Sequence, residues 1–322
     1  MVMSRFAPSP TGALHLGHAF SAIQAHDRAR NAGGRFLLRI EDIDGSRSRP
    51  EHVQGIFDDL EWLGLAWDGP VVFQSERLAL YEEALDRLRD QDLLYRCFCT
   101  RAEIAASLSA PHGPSSAVYP GTCRRLTSEE TEARSAEPHC WRLDMAKALF
   151  IVTPDLVRGL PASAEQLERF EHNQGNVSQA APWVPDQVRH DGKLIWHDEL
   201  AGDVIADPLA GGDVVLARKD APASYHLAVT VDDAAQGVTH VVRGVDLFAA
   251  THVHRLLQAL LDLPTPVYRH HALLTDAEGN RLAKRHGAAT LASLRAEGMD
   301  GAALADRLRA GRLPIGFGVA KA

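Results

Sequence analysis

His15 and His18 stand three positions apart in the segment PSPTGALHLGH, Pro8 to His18. At a helix start this spacing puts both imidazoles on one face. Gly12 and Gly17 leave room for a ligand beside the backbone, and the N–H groups of a helix N-terminus attract phosphate. These residue types suit hydrogen-bond donation to phosphoryl oxygens as charge builds in a transition state. A metal-binding HxxH pair, or two side chains that only cap the helix, would use the same spacing. Far downstream, RLAKRHG (Arg281 to Gly287) sets Lys284 between Arg281 and Arg285 on a glycine-punctuated stretch. Such a cluster can clamp a polyphosphate, or it can be a solvated basic face.

A second chemistry is offered by thiols. Cys97, Cys99 and Cys123 supply three sulfur ligands, and zinc takes four in a tetrahedron. Tyr119 in YPGTC, Cys140 and His112 compete for the fourth place. Cys140 precedes WRLD, which reads as a strand, so a buried inert thiol is the alternative there.

The elements that must position these groups alternate. A strand ends near Arg5–Ala7, and the turn-rich APSPTG (Ala7–Gly12) prevents an early helix. A helix is expected from Leu16 to Asn31, stopped by Gly33-Gly34. Phe36, Leu38 and Ile40 mark a buried strand. Helical spacing follows at Val53–Leu63 and Leu78–Leu88. Strand then helix, repeated, predicts an α/β domain of βαβ units. Gly212–Asp220 and Tyr225–Asp233 read as strands, the latter through alternating Leu227, Val229 and Val231. VTHVVRG ends another strand at Gly244, Val253–Leu260 forms a helix, and the last sixty or so residues read as helical. Between them, Phe150–Gly192 is polar and proline-rich and reads as a surface excursion.

Composition sets the outer limits. The chain has 322 residues with 34 basic against 42 acidic side chains, a net charge of −8. With 45% hydrophobic and 24% charged residues it falls among globular chains, not disordered ones. No apolar run reaches the roughly 18 residues of a membrane span. The N-terminus lacks the apolar stretch of a secretory signal. Four cysteines cannot form a disulfide scaffold, so a cytoplasmic setting is expected. An acidic chain can meet nucleic acid only through a local basic patch.

Taken together, PSPTGALHLGH and the distant LAKRH resemble the HIGH and KMSKS signatures of class I aminoacyl-tRNA synthetases. RFAPSPTG…HLGH…LLRIEDID (Arg5 to Asp44) and YHLAVTVDD…GVTHVVRGVDL (Tyr225 to Leu247) are similar to the glutamyl branch. The resemblance covers most of residues 4–149 and 194–295. Because the chain stops at Ala322, soon after Lys284, it is most similar to a short branch without an anticodon-binding domain. That branch activates L-glutamate with ATP and attaches it to the queuosine base of tRNA(Asp).

The resemblance implies a Rossmann-like parallel sheet for nucleotide binding, a zinc-bearing insertion and a C-terminal helical segment. The corresponding divisions are 1–96 and 195–265 for the halves of the catalytic domain, 97–194 for the insertion and 266–322 for the segment with the KMSKS-like loop. It implies His15, His18 and Lys284 as catalytic groups, with Gly17 beside them at ATP. Glutamate contacts are carried over to Arg5, Phe6, Ala7, Pro8, Ser9, Glu41, Tyr225 and Arg243. Arg5 suits a bidentate grip on a carboxylate, and Glu41, at a strand's C-terminal end, suits the substrate ammonium. Structural zinc on Cys97, Cys99, Tyr119 and Cys123 is implied, as are Mg²⁺ with ATP and a monomeric enzyme. The excursion at 150–192 departs from the family pattern and is expected to take no part in catalysis. Two other readings share the motifs: a truncated glutamyl-tRNA synthetase that charges the 3′ end of tRNA(Glu), and a non-catalytic zinc-dependent RNA-binding module.

Overall fold

Strand β1 (Met3–Phe6) leads through a proline-rich turn into helix α1 (Leu16–Arg30), and strand β2 (Arg35–Ile40) returns beside β1. The computed structural model describes residues 1–100, 102–104, 118–153, 193–218, 221–276, 289–312 and 317–319. Helix α1 stops where the sequence signals it: Asn31 caps the end and Gly33 turns the chain at φ +61°. A Cβ on Gly34 would lie 2.0 Å from the Val2 carbonyl oxygen, so only glycine lets the two strand starts approach. Five of the six residues of β2 are buried, as a parallel strand covered on both faces requires.

Helix α2 (Pro50–Trp62), strand β3 (Val72–Phe73) and helix α3 (Leu78–Asp90) complete the first half. Strand β4 (Leu94–Cys97), helix α4 (Ser128–Ala133), strand β5 (Cys140–Leu143) and helix α5 (Met145–Val152) follow. Next come strands β6 (Ile195–Asp198), β7 (Gly202–Ile205) and β8 (Val215–Ala217), then helix α6 (Tyr225–Ala235). Strand β9 (His240–Gly244), helix α7 (Phe248–Leu260) and strand β10 (Val267–His271) close the main sheet. A small pair, β11 (Leu274–Asp276) with β12 (Phe317–Val319), frames helices α8 (Leu291–Ala296) and α9 (Gly301–Arg309).

The seven-stranded sheet runs β3-β2-β1-β9-β10-β6-β7. All its pairings are parallel except β6 with β7. From β1 the chain winds outward to β2 and β3, and from β9 it winds the other way to β10. The strand order therefore reverses between β1 and β9, which opens a crevice at their C-terminal ends. A separate antiparallel sheet, β4-β5-β8, carries the cysteine region.

Three expectations are corrected. Tyr225–Asp233 is not a strand but the first nine residues of α6. Ser224 caps it by accepting from the Leu227 N–H, and burial of Leu227, Ala228, Asp232 and Asp233 outweighs the weak strand preference of its valines. The stretch Gly212–Asp220 is strand only over Val215–Ala217 among the described residues. Finally, the polar excursion does not begin at Phe150. Residues up to Val152 belong to α5, whose apolar face packs with α7 in the core, and 154–192 lie outside the described residues. The C-terminal sixty residues hold α8 and α9 as expected, with short strands around them. Among the described residues no helix is long and apolar enough to cross a membrane.

Candidate active site

The crevice at the strand-order reversal is a cleft of about 640 Å³. β1 and its following turn supply Arg5, Phe6, Ala7, Pro8 and Ser9; the end of β2 supplies Glu41; α6 and β9 supply Tyr225 and Arg243. All eight expected glutamate contacts thus line one space. Glu41 is held there by its backbone, whose N–H donates to the Pro8 carbonyl at 3.0 Å. Burial raises the Glu41 carboxyl above its ordinary value, and the Arg39 and Arg5 guanidinium groups pull only partly against that. An incoming ammonium would add the missing opposite charge.

Arg5 differs from its expected posture. Its Nε and Nη2 donate to Asp233 at 2.9 and 3.3 Å, so that edge of the fork is already engaged. A substrate carboxylate would meet the rest of the guanidinium. Burial would raise the Asp233 carboxyl, but Arg5 and Arg39 outweigh it and hold the group below the usual range. Arg39, fully buried, donates to Asp233 at 2.8 Å and to Glu41 at 3.3 Å. Asp233 and Arg39 hold Arg5 and Glu41 from behind the cleft, a support that sequence reading missed because a strand over 225–233 gave Asp233 no reason to face β1.

His15 is the N-cap of α1. Its Nδ1 accepts from the Gly17 N–H at 3.1 Å, while the His15 N–H donates to His18 Nδ1 at 3.1 Å. The rings lie 3.8 Å apart, centroid to centroid. Because each Nδ1 accepts, each neutral ring carries its proton on Nε2 and presents a donor there. Capping and cleft-lining are therefore performed by the same pair, and both Nδ1 atoms are spent on the cap rather than on a metal. His18 lines the main cleft and an adjoining space of about 160 Å³, which His15 and Gly17 also line. A Cβ at Gly17 would stand 3.0 Å from His15 Cε1, so any larger residue would crowd the ring. Lys284 and its neighbours lie outside the described residues. The chain beyond them returns to the same place: Thr290 bridges His15, and the Leu291 N–H donates to the Leu14 carbonyl at 2.9 Å.

The thiols converge separately. Sγ atoms of Cys97, Cys99 and Cys123 all lie within 4.8 Å of one another, with 3.5 Å between Cys99 and Cys123. Tyr119 Oη is 3.4 Å from Cys97 Sγ and 3.7 Å from Cys99 Sγ. An ion with Zn–S bonds of about 2.3 Å spans tetrahedral S···S edges of about 3.8 Å, so the four groups fit a metal of that size. Burial and the neighbouring thiols raise the Tyr119 hydroxyl, so a phenolate there needs the charge of a cation. Cys140 faces Cys97 across the β4–β5 pair and stands outside this group of three thiols. His112 lies outside the described residues.

Comparison with known proteins agrees with this geometry. The catalytic-domain family of class I tRNA synthetases for E and Q matches residues 1–182 and 161–311. The chain is 47% identical over 303 residues to a glutamyl-Q tRNA(Asp) synthetase of Rhodobacter capsulatus, covering 92% of this chain and 96% of that one. It is 45% identical over 308 residues to the protein of the same name from Symbiobacterium thermophilum, with 92% and 82% covered. Among solved structures, glutamate-tRNA synthetase of Elizabethkingia anophelis superposes with a TM-score of 0.67 at 27% identity over 89% of this chain. The glutamate tRNA ligase of Elizabethkingia meningosepticum, solved with its amino acid, gives 0.66 at 27%. This chain spans about half of each of those two, 53% and 52%.

Proposed function

Because the chain belongs to the class I tRNA synthetase family of the glutamyl and glutaminyl catalytic domains, we propose that it activates L-glutamate with ATP and transfers it to the queuosine base of tRNA(Asp). The observation that carries this reading is the cleft itself. Two buried arginines, Arg5 and Arg243, and the carboxylate of Glu41 face one space, beside a helix start that bears two Nε2–H donors. An amino acid with two carboxylates and an ammonium matches that charge pattern, and a nucleoside triphosphate matches the helix start.

Activation needs little proton transfer. The α-carboxylate of glutamate is ionised at neutral pH and attacks the α-phosphorus of ATP. A carboxylate O–P bond forms as the bond to pyrophosphate breaks, giving glutamyl-adenylate. His15 and His18 donate to the phosphate oxygens as charge builds, and Lys284 takes the leaving pyrophosphate. Mg²⁺ accompanying the triphosphate would share its charge. A hydroxyl of the queuosine ring then attacks the activated carbonyl, yielding an ester and AMP.

The division that we assign keeps 1–96 and 195–265 as the halves of the catalytic domain, 97–194 as the insertion and 266–322 as the segment bearing Lys284. We place structural zinc on Cys97, Cys99, Tyr119 and Cys123, and a monomer in the cytoplasm as the working form. We propose, from the departure of its sequence from the family pattern, that the excursion takes no part in catalysis; residues 154–192 lie outside the described residues.

The test mixes purified protein with labelled glutamate, ATP and tRNA(Asp) with or without queuosine. Label retained only on the modified tRNA supports the reading. Label on the 3′ end of tRNA(Glu) would favour a truncated glutamyl-tRNA synthetase, and absence of glutamate-dependent pyrophosphate exchange would favour a binding module.

A further inference from the structure

Arg243 is 5% exposed, and among the described residues no carboxylate ion-pairs with it. A buried guanidinium with no direct counter-charge is costly unless something uses the charge. What surrounds it is a set of neutral acceptors. Nη2 donates to Thr251 Oγ1 at 2.6 Å, Nε to His270 Nε2 at 3.1 Å, and Nη1 to Tyr225 Oη at 3.2 Å. Nη1 and Nη2 also approach His254 Nδ1 at 3.3 and 3.4 Å.

An arginine can only donate, so both histidines must accept, and their tautomers follow. His270 keeps its proton on Nδ1 and gives it to Asp198 Oδ2 at 2.7 Å. His254 keeps its proton on Nε2 and faces His226 Nδ1 at 3.2 Å. Burial and the Arg243 charge push His270 down to about 4 and His254 well below its ordinary value, so both rings stay neutral at pH 7. The nearest anion along this chain of contacts, Asp198, is one imidazole removed from the guanidinium. Strand register makes the pairing firm, since His270 on β10 is the direct neighbour of Arg243 on β9.

We propose that Thr251, His254 and His270, backed by Asp198, are positioning residues that hold Arg243 while leaving its charge to a substrate carboxylate. This deepens the proposed glutamate site and rests on it. A carboxylate in place of any of the three would neutralise the guanidinium and compete with substrate. An apolar side chain would leave N–H groups without acceptors and the fork without a fixed direction.

The test is steady-state pyrophosphate exchange with Thr251→Val, His270→Leu, His270→Gln and Arg243→Ala, alone and with Arg243→Ala as background. Thr251→Val keeps side-chain shape and removes one acceptor. A glutamine at 270 can donate to Asp198 and accept from Arg243, as the present tautomer does. The expected result is a rise of about tenfold in KM for glutamate for Thr251→Val and His270→Leu, with KM for ATP and kcat little changed. His270→Gln restores most of the loss, and neither change adds to Arg243→Ala. If His270→Leu does not fold, Thr251→Val decides alone. Unchanged KM for glutamate in these variants, with a large rise in Arg243→Ala, overturns the positioning role and spares the site. Unchanged KM in Arg243→Ala overturns both. Equal losses in kcat and in both KM values would show a general structural effect and overturn the proposal.

Discussion

Arg5 and Asp233 stand 228 positions apart in the chain and meet through two hydrogen bonds inside the protein. Asp233 also receives Arg39, which is shared with Glu41 and Asp232, so one carboxylate joins two buried guanidinium groups. Removing it by Asp233→Ala should destabilise the fold by about 3–5 kcal/mol, because buried Arg5 loses its carboxylate partner while Arg39 keeps only Glu41 and Asp232. The weakened Arg5 should also raise KM for glutamate. The pH dependence has a fixed sign: this carboxyl is depressed in the fold, so its stabilisation is present above the ordinary value near 3.8 and is lost as pH falls through the lower folded value. Urea unfolding that shows a loss under about 1 kcal/mol would contradict the ion-pair account.

Asp59 should behave in the opposite way. It is 1% exposed on α2, and burial pushes its carboxyl up to about 6, with Arg295 pulling against that. A carboxyl that binds its proton more tightly when folded makes stability fall as pH rises from about 4 to about 6. Asp59→Asn keeps an oxygen for the Arg295 Nη1 donor at 3.1 Å and cannot ionise. The variant should therefore gain on the parent protein across that window and keep its advantage above it. Parallel stability curves from pH 4 to 8 would remove the basis for this assignment.

Gly17→Ala is a probe of the helix start. The added Cβ meets His15 Cε1 at 3.0 Å and Nδ1 at 3.1 Å, so the His15 ring must shift by a few tenths of an ångström and the cap is strained. The expected cost is about 1 kcal/mol of stability, together with a fall in exchange rate that exceeds any change in KM for glutamate. An unchanged rate would mean that the ring positions set by this cap do not matter to activation.

How much of this was legible from the residues differs by element. The strong local signals, Gly33-Gly34 after α1 and the apolar run of β2, correspond to the observed boundaries because they act within a turn or two. Arg5, Glu41, Tyr225 and Arg243 could be named by likeness and do line one cleft. Helix α6 reads as a strand in isolation, since its valines favour strand locally and only packing on α3 and α7 makes it a helix. Thr251, His254 and His270 gave no signal at all. Their meaning arises from the registry of β9 with β10, which sets His270 beside Arg243, and from the docking of α7, which brings Thr251 and His254 to it; neither is written in any short stretch of chain.

The cysteine cluster makes a prediction of its own. Purified protein should carry one equivalent of zinc by elemental analysis, and Cys123→Ser should carry much less. Tyr119→Phe should retain the metal more weakly, since it removes both an oxygen ligand and the acceptor of the Cys123 N–H at 2.8 Å. Metal content that is equal in all three proteins would exclude these side chains as its ligands.

The seam between β1 and β9 has a kinetic meaning as well. Arg5 to Ser9 with Glu41 line one side of the cleft, and Tyr225 and Arg243 line the other, so under the proposed glutamate reading no early fragment of the chain can complete the pocket. The pocket comes into being only when distant parts of the polypeptide have closed a very long loop, a slow and entropically costly event. Under the proposed reading, glutamate bound there would tie the two walls together and add its binding energy to the joint between them.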